Sequence, residues 1–315
     1  MKKKKETMSK KEIDTIGIKG GLYSDKEIAV IEKENYEIMK DNRLIQKATF
    51  DFTELELKCI NYAIAQIKPN EDFDEKTDFV IKIKDLCDQL RIKSNGENYN
   101  NIKNAFKKLR DTSKWVKLED GSELAFSFIC KAKTDKRTGV VIVRFYDEML
   151  QYLKRLQDNG KYTPITLYYT LALKYKYAIR MYELCMSWRN NYDIKYKKYG
   201  FIFYLDKMRY KWQVPEKYTY GQIKQKILIP SKNEINDKTN LDITIHELKE
   251  GRKVKNLFIE IKEKSKEEIK ALTDEIDIAR HEFLIDKQVD YDILKFDRKQ
   301  KMKEKKESQK TLTLE

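Results

Sequence analysis

The chain is short of the side chains that build metal sites and nucleophilic centres. It has two histidines, His246 and His281, far apart in sequence and in no H-x-H pair. Tyrosine-based nicking of nucleic acid needs a divalent metal held by neighbouring histidines, so the 20 tyrosines do not by themselves suggest a nickase. Four cysteines, Cys59, Cys87, Cys130 and Cys185, form no C-x-x-C pair and have no histidine nearby. Each sits in an apolar pattern, which predicts reduced core thiols of a cytosolic protein rather than metal ligands. No G-x-x-x-x-G-K-S/T stretch is present to cradle a nucleotide phosphate. The expectation is a protein that is not an enzyme and takes no cofactor and no metal. No apolar run approaches the roughly 18 residues of a membrane span. The opening MKKKKETMSKKE has no apolar run behind it, so it does not read as a secretory signal. No basic amphipathic helix stands out as an insertion element, and a membrane is not expected as a partner.

Charge is what the chain has in quantity. A net charge of +14 points to a polyanionic partner, nucleic acid before an anionic membrane surface. Hydrophobic residues at 40% beside charged residues at 37% suit a folded, highly charged protein. At 315 residues the expectation is two domains, each large enough for its own core.

Two stretches carry the functional signal. In the later one, Thr219 and Gln222 have the spacing of a capping box that starts a helix. Tyr220, Ile223 and Ile227 fall on one side of it, while Gln222, Gln225, Lys226 and Lys232 point the other way. Amide and ammonium groups presented from a helix are the chemistry that reads base edges and phosphates in a DNA major groove. Two β-patterned runs follow, Leu241 to His246 and Asn256 to Ile261, with the basic loop ELKEGRKVK between them. One such helix on its own is ordinarily a solvated surface. Its neighbouring hairpin and an upstream copy change that reading.

The upstream copy begins with a helix capped by Thr53 and Glu56, a strand-like run at Asp78 to Lys84, and a short helix with Leu86, Cys87 and Leu90. A basic helix from Tyr99 to about Asp111 comes next. Tyr99, Ile102, Phe106 and Leu109 line one face, and Asn100, Asn101, Asn104, Lys107 and Lys108 line the other. Asparagine is a poor helix-interior residue, so three on one exposed face suggest either adenine contacts or a fraying first turn. Strand-like runs at Lys114 to Leu118, Ser122 to Ile129 and Val140 to Phe145 follow, the last turn carrying Lys136 and Arg137. Strand, short helix, turn, basic helix and basic-tipped hairpin is a winged-helix order. The second half repeats it, with GFIFYL as its strand and a short helix near Asp206 to Trp212. Even the entries into the two basic helices are alike, E-N-Y-x2-I-K at Glu97 to Lys103 and E-K-Y-x4-I-K at Glu216 to Lys224. The expected fold class is α+β, two tandem winged-helix domains related by internal duplication. The expected division is a basic, disordered arm over 1–41, one winged helix over 42–160, a second over 161–263, and a charged helical or disordered tail over 264–315. The boundary is placed at the Gly/Lys/Thr/Pro break of residues 160–164.

Several pieces together resemble the Rep initiator proteins of theta-replicating plasmids, the RepA/RepB type that binds iterons. They are NRLIQKATFDFTELELK from Asn42, KYAIRMYEL from Lys176, LDKMRYKWQV from Leu205, Y-T-Y-G-Q-I-K-x3-L-x-P-S-x-N-E-I-N from Tyr218, and GRKV from Gly251. The chain departs from that pattern at Tyr175 and Ser231, where smaller residues are usual. The resemblance implies binding to repeated double-stranded sites at a plasmid origin, a host initiator and replicative helicase as partners, and a monomer that initiates beside a homodimer that represses. A tandem winged-helix transcription regulator is the alternative. Two groove-reading modules one turn apart would cover roughly 20 base pairs. The candidates for base readout are Asn100, Asn104 and Lys107, then Gln222, Lys224, Gln225 and Lys226. Lys108, Tyr218 and Lys232 are further candidates for DNA contact. Wing residues Lys136, Arg137, Arg252 and Lys253 would meet phosphates.

Overall fold

The computed structural model describes residues 37–49, 51–67, 73–117, 122–135, 139–154, 156 and 161–272. The first unit opens with strand β1 (Glu37–Asp41) and helices α1 (Asn42–Lys47) and α2 (Glu54–Ile64). Thr53 closes the expected capping box: its side chain accepts from the Glu56 N–H, and the Glu56 carboxylate accepts the Thr53 N–H. Strand β2 (Phe79–Lys82) runs directly into α3 (Ile83–Gln89), so the expected strand stops earlier than Lys84 and Ile83 becomes the first core residue of the helix. Helix α4 (Gly96–Asp111) starts before Tyr99 because the Asn95 side chain accepts the Asn98 N–H at 2.8 Å and caps it there.

The expected strand Ser122 to Ile129 is split. β3 (Lys114–Lys117) and β4 (Glu123–Phe126) form their own hairpin, and β5 (Ile129–Asp135) turns away to pair with β6 (Val140–Phe145). Phe128 and Ile129 are buried at the break, where the chain changes sheet. A short helix α5 (Asp147–Leu150) follows. Residues 160–164, read from sequence as a break, contain most of a strand, β7 (Tyr162–Thr166), paired antiparallel with β1 across the two halves. Pro164 fits there because, among the described residues, the pair has two strands and each strand keeps one edge free of ladder bonds.

The second half continues with α6 (Leu167–Ala172), α7 (Lys176–Trp188), β8 (Tyr192–Asp193), β9 (Lys198–Tyr204) and α8 (Leu205–Lys211). One continuous helix then has three parts: α9 (Tyr220–Ile223), a π turn (Lys224–Leu228) and α10 (Ile229–Lys238). Strands β10 (Leu241–Glu250) and β11 (Lys253–Glu263) form the last hairpin. The run ELKEGRKVK is therefore strand rather than loop, apart from a two-residue turn. Nothing in it breaks a strand before Gly251, whose φ of 61° fits the first central position of a tight hairpin turn.

Strand order is the same in the two halves. The first sheet runs β2-β6-β5 and the second β9-β11-β10, with β8 added beyond β9. In both units the strand before the short helix pairs with the returning strand of the wing, and the wing's outgoing strand lies at the edge. The two tandem winged helices share one apolar core that reaches from Ile38 to Ile261. α7 is its centre, with Ala178, Ile179, Met181, Tyr182 and Cys185 all buried. It packs on α1 and α2 of the first unit and on β9 and α10 of the second. Cys59, Cys87 and Cys185 are buried as expected, but Cys130 is exposed, because it sits at the β5 irregularity between Ile129 and Lys131 and faces outward.

Candidate nucleic-acid interface

Both basic helices bury one face and expose the other, as amphipathic spacing requires. On α4, Ile102, Ala105, Phe106 and Leu109 are buried against α2 and β5. Asn100, Asn104, Lys107 and Lys108 are exposed on its outer side. Lys108 is not free: its Nζ lies 3.0 Å from the buried Glu56 carboxylate, which ties the C-terminal half of α4 to the start of α2. Asn100, Asn104 and Lys107 stand on that outer side, with Asn101 and Lys103 also exposed.

On the second helix Ile223, Ile227 and Leu228 are buried, while Gln222, Lys224, Gln225 and Lys226 are exposed. Three of these four carry internal duties that sequence spacing alone leaves undecided. The Gln222 side-chain oxygen accepts the Thr219 N–H at 2.9 Å and completes the capping box, so only its amide NH2 is left to offer. The Lys224 ammonium lies 2.8 Å from Glu247 on β10, and the Tyr220 hydroxyl donates to the same carboxylate at 2.8 Å. Lys224, then Tyr220, hold the Glu247 carboxyl below the usual carboxylate range. This pair of contacts fastens the wing to the helix start. Lys226 stands 5.0 Å over the ring of half-buried Tyr218. The Tyr218 carbonyl in turn accepts from Arg209 at 2.6 Å, which links α8 to the helix entry. Gln225 is exposed at the π turn, and Lys232 is half-exposed about two turns further on.

At the wings, Arg252 and Lys253 are both exposed at the tip of the β10–β11 hairpin. Lys136 and Arg137, the expected tip of the first wing, lie outside the described residues.

Sequence reading missed the groups that hold these helices in place. Glu234 on α10 receives the backbone N–H of Lys174 at 3.0 Å and that of Tyr175 at 3.0 Å, capping the entry to α7. Arg180, buried in α7, donates to the carbonyls of Lys211 and Ala48, joining α8 to the end of α1. Ser231 is buried and its hydroxyl has no hydrogen-bond partner among the described residues. Its replacement by Ala should stabilise the chain by about 1 kcal/mol, because it removes an unsatisfied buried hydroxyl at little cost in volume. Urea unfolding measures this, and a loss of stability would mean the hydroxyl has a partner.

Among the described residues no group of three or more potential ligands is placed to hold a metal ion, and no helix is long and apolar enough to cross a membrane. The family described as Initiator Replication protein, WH1, matches residues 37–186, and that described as Initiator Rep protein, WH2, matches 204–261. Among solved structures, the Pi initiator protein in complex with iteron DNA overlays with a TM-score of 0.57 at 22% identity, covering 72% of this chain and 97% of that one. At that identity the overlay shows the shared fold alone. Domains 2 and 3 of RctB overlay with a TM-score of 0.45 at 12% identity, over 69% of this chain and 84% of that one. No curated relative matches the chain.

Proposed function

We propose, for a chain that belongs to the initiator replication protein family, that it binds repeated double-stranded DNA sites at a plasmid origin and reads them with one helix from each winged-helix unit. One observation carries the reading. Each unit holds, between its short helix and its hairpin, a helix with an apolar inner face and an outer face of Asn/Lys or Gln/Lys. We take residues 42–160 and 161–263 as the two gripping units and 264–315 as a tail; Glu37–Asp41, expected in the arm over 1–41, instead form strand β1 with Ile38 buried, and so belong with the first unit. Asn100, Asn104 and Lys107 on α4, and the Gln222 amide with Gln225 on the second helix, are the proposed base readers. Lys224 and Lys226 are charges already spoken for by Glu247 and Tyr218, which the duplex would have to draw away. Lys108, Tyr218, Lys232, Arg252 and Lys253, with Lys136 and Arg137, are proposed to meet the backbone. A homodimer that represses its own promoter, and a host initiator and helicase as partners, complete the proposal.

Selection by the full chain from a randomised duplex pool tests it. The expected product is a discrete site of roughly 20 base pairs, matching direct repeats upstream of its own gene. Recovery of unrelated sequences with no preferred site would exclude sequence-specific initiation. On the selected duplex, Gln225→Ala should cost about 1–3 kcal/mol and little on random DNA. Equal weakening of both would remove Gln225 from readout. Arg252→Ala should weaken both and reduce the slope of log K against log salt by about one unit, since one phosphate contact is lost. An unchanged slope would take the wing tip off the backbone.

A further inference from the structure

Pro230 stands inside the second helix, where proline has no N–H to donate and its ring crowds the carbonyl four residues back. That carbonyl belongs to Lys226. The helix yields locally: Lys224–Leu228 open into a π turn in which the Ile229 N–H reaches the Lys224 carbonyl. The buried positions Ile223, Ile227, Ser231 and Ile235 follow one another at strict four-residue spacing. In an unbroken α-helix such a row would drift roughly 120° around the axis over its three steps. The wide turn takes up part of that drift. On the outward side it leaves Lys224, Gln225 and Lys226 exposed in succession.

The Lys226 carbonyl is met from outside the helix, by the hydroxyl of Tyr175, which donates to it. Tyr175 precedes α7 and is itself held. Its backbone N–H donates to Glu234 at 3.0 Å, and its ring packs edge-on to Tyr177 at 5.3 Å. Burial pushes its phenol up to about 12, so the hydroxyl keeps its proton at neutral pH. The segment before α7 therefore grips the helix at two points, one on each side of Pro230.

We propose that Tyr175 is a positioning residue for base readout: its hydroxyl closes the carbonyl that Pro230 leaves open and so holds the wide turn that presents Lys224, Gln225 and Lys226 together. The inference rests on the DNA-contact reading above. Its test uses the full chain, the selected duplex and a shuffled duplex of the same composition. Tyr175→Phe should lower the affinity ratio between the two duplexes about five-fold, the effect of one neutral hydrogen bond, with shuffled-duplex affinity and salt slope unchanged. Pro230→Ala restores a donor to the Lys226 carbonyl. In that background Tyr175→Phe should change the ratio by less than about two-fold, because the two changes act on one carbonyl. A lower unfolding midpoint with an unchanged ratio would make Tyr175 structural only and overturn the proposal. So would equal losses on both duplexes, or additive effects of the two substitutions. An unsubstituted chain with no preference between the duplexes would instead overturn the DNA reading, and the inference with it.

Discussion

Replacing Glu183 by Leu should destabilise the protein by about 3–5 kcal/mol, the cost of removing one partner from a buried ion pair. Glu183 lies on α7 and Lys40 on β1, with side chains only 6% and 7% exposed and 2.8 Å between them. Asn61 on α2 closes the triangle, accepting from Lys40 at 2.7 Å and donating to Glu183 at 2.9 Å. Without the carboxylate, the Lys40 ammonium stays in the core with one amide oxygen for company. The stability loss comes mainly from that stranded charge rather than from the strength of the pair. The double variant Lys40→Met with Glu183→Leu should therefore recover most of it. Urea unfolding of both variants decides the matter. If Glu183→Leu costs under about 1 kcal/mol, water reaches the site and the triangle is not a dry seam. Because it joins β1, α2 and α7, the same substitution should loosen the second unit from the first.

The next largest effect is expected at Gly200. A Cβ there would lie 2.0 Å from the Ile259 carbonyl oxygen and 3.1 Å from the Phe258 ring, with the backbone at φ +151°. Neither obstacle can step aside: one is ladder backbone of β11, and the other is a buried ring stacked 4.3 Å from Tyr196. Gly200→Ala should cost about 3–5 kcal/mol through lost β9–β11 pairing and backbone strain, and should abolish DNA binding by the second unit. Gly251→Ala is the matched control, since φ is +61° but nothing lies within 4 Å. It should cost about 1 kcal/mol, from backbone conformation alone. Thermal unfolding of the two variants separates clash from strain. Equal losses would mean that conformation, not contact, requires glycine at 200.

The two basic helices were legible in the sequence because amphipathic spacing and capping are local properties. Thr219 with Gln222, and Ile102 with Phe106 and Leu109, express themselves within a turn or two. The winged-helix order was legible for the same reason. What was not legible lies between distant residues. Nothing near Lys224 in sequence announces Glu247, and nothing near Lys108 announces Glu56, so charges that looked free are partly neutralised within the fold. The strand at Tyr162–Thr166 read as a break because its partner is β1, at the far end of the first unit. Pro230 is visible in the sequence, but proline inside a helix permits a kink, a break or a wide turn. The wide turn is what the fold shows, with Tyr175 and Glu234 in contact on either side of the proline.

By itself, then, the sequence determined the winged-helix order of the main elements, its repeat in the second half, and which face of each basic helix turns to water, since those follow from side-chain periodicity and backbone caps. Tertiary structure alone decided which lysines remain unpaired, where the two units interlock, and how the second helix presents its outer face. Those depend on through-space contacts, whose strength is set by burial and distance and not by neighbours along the chain.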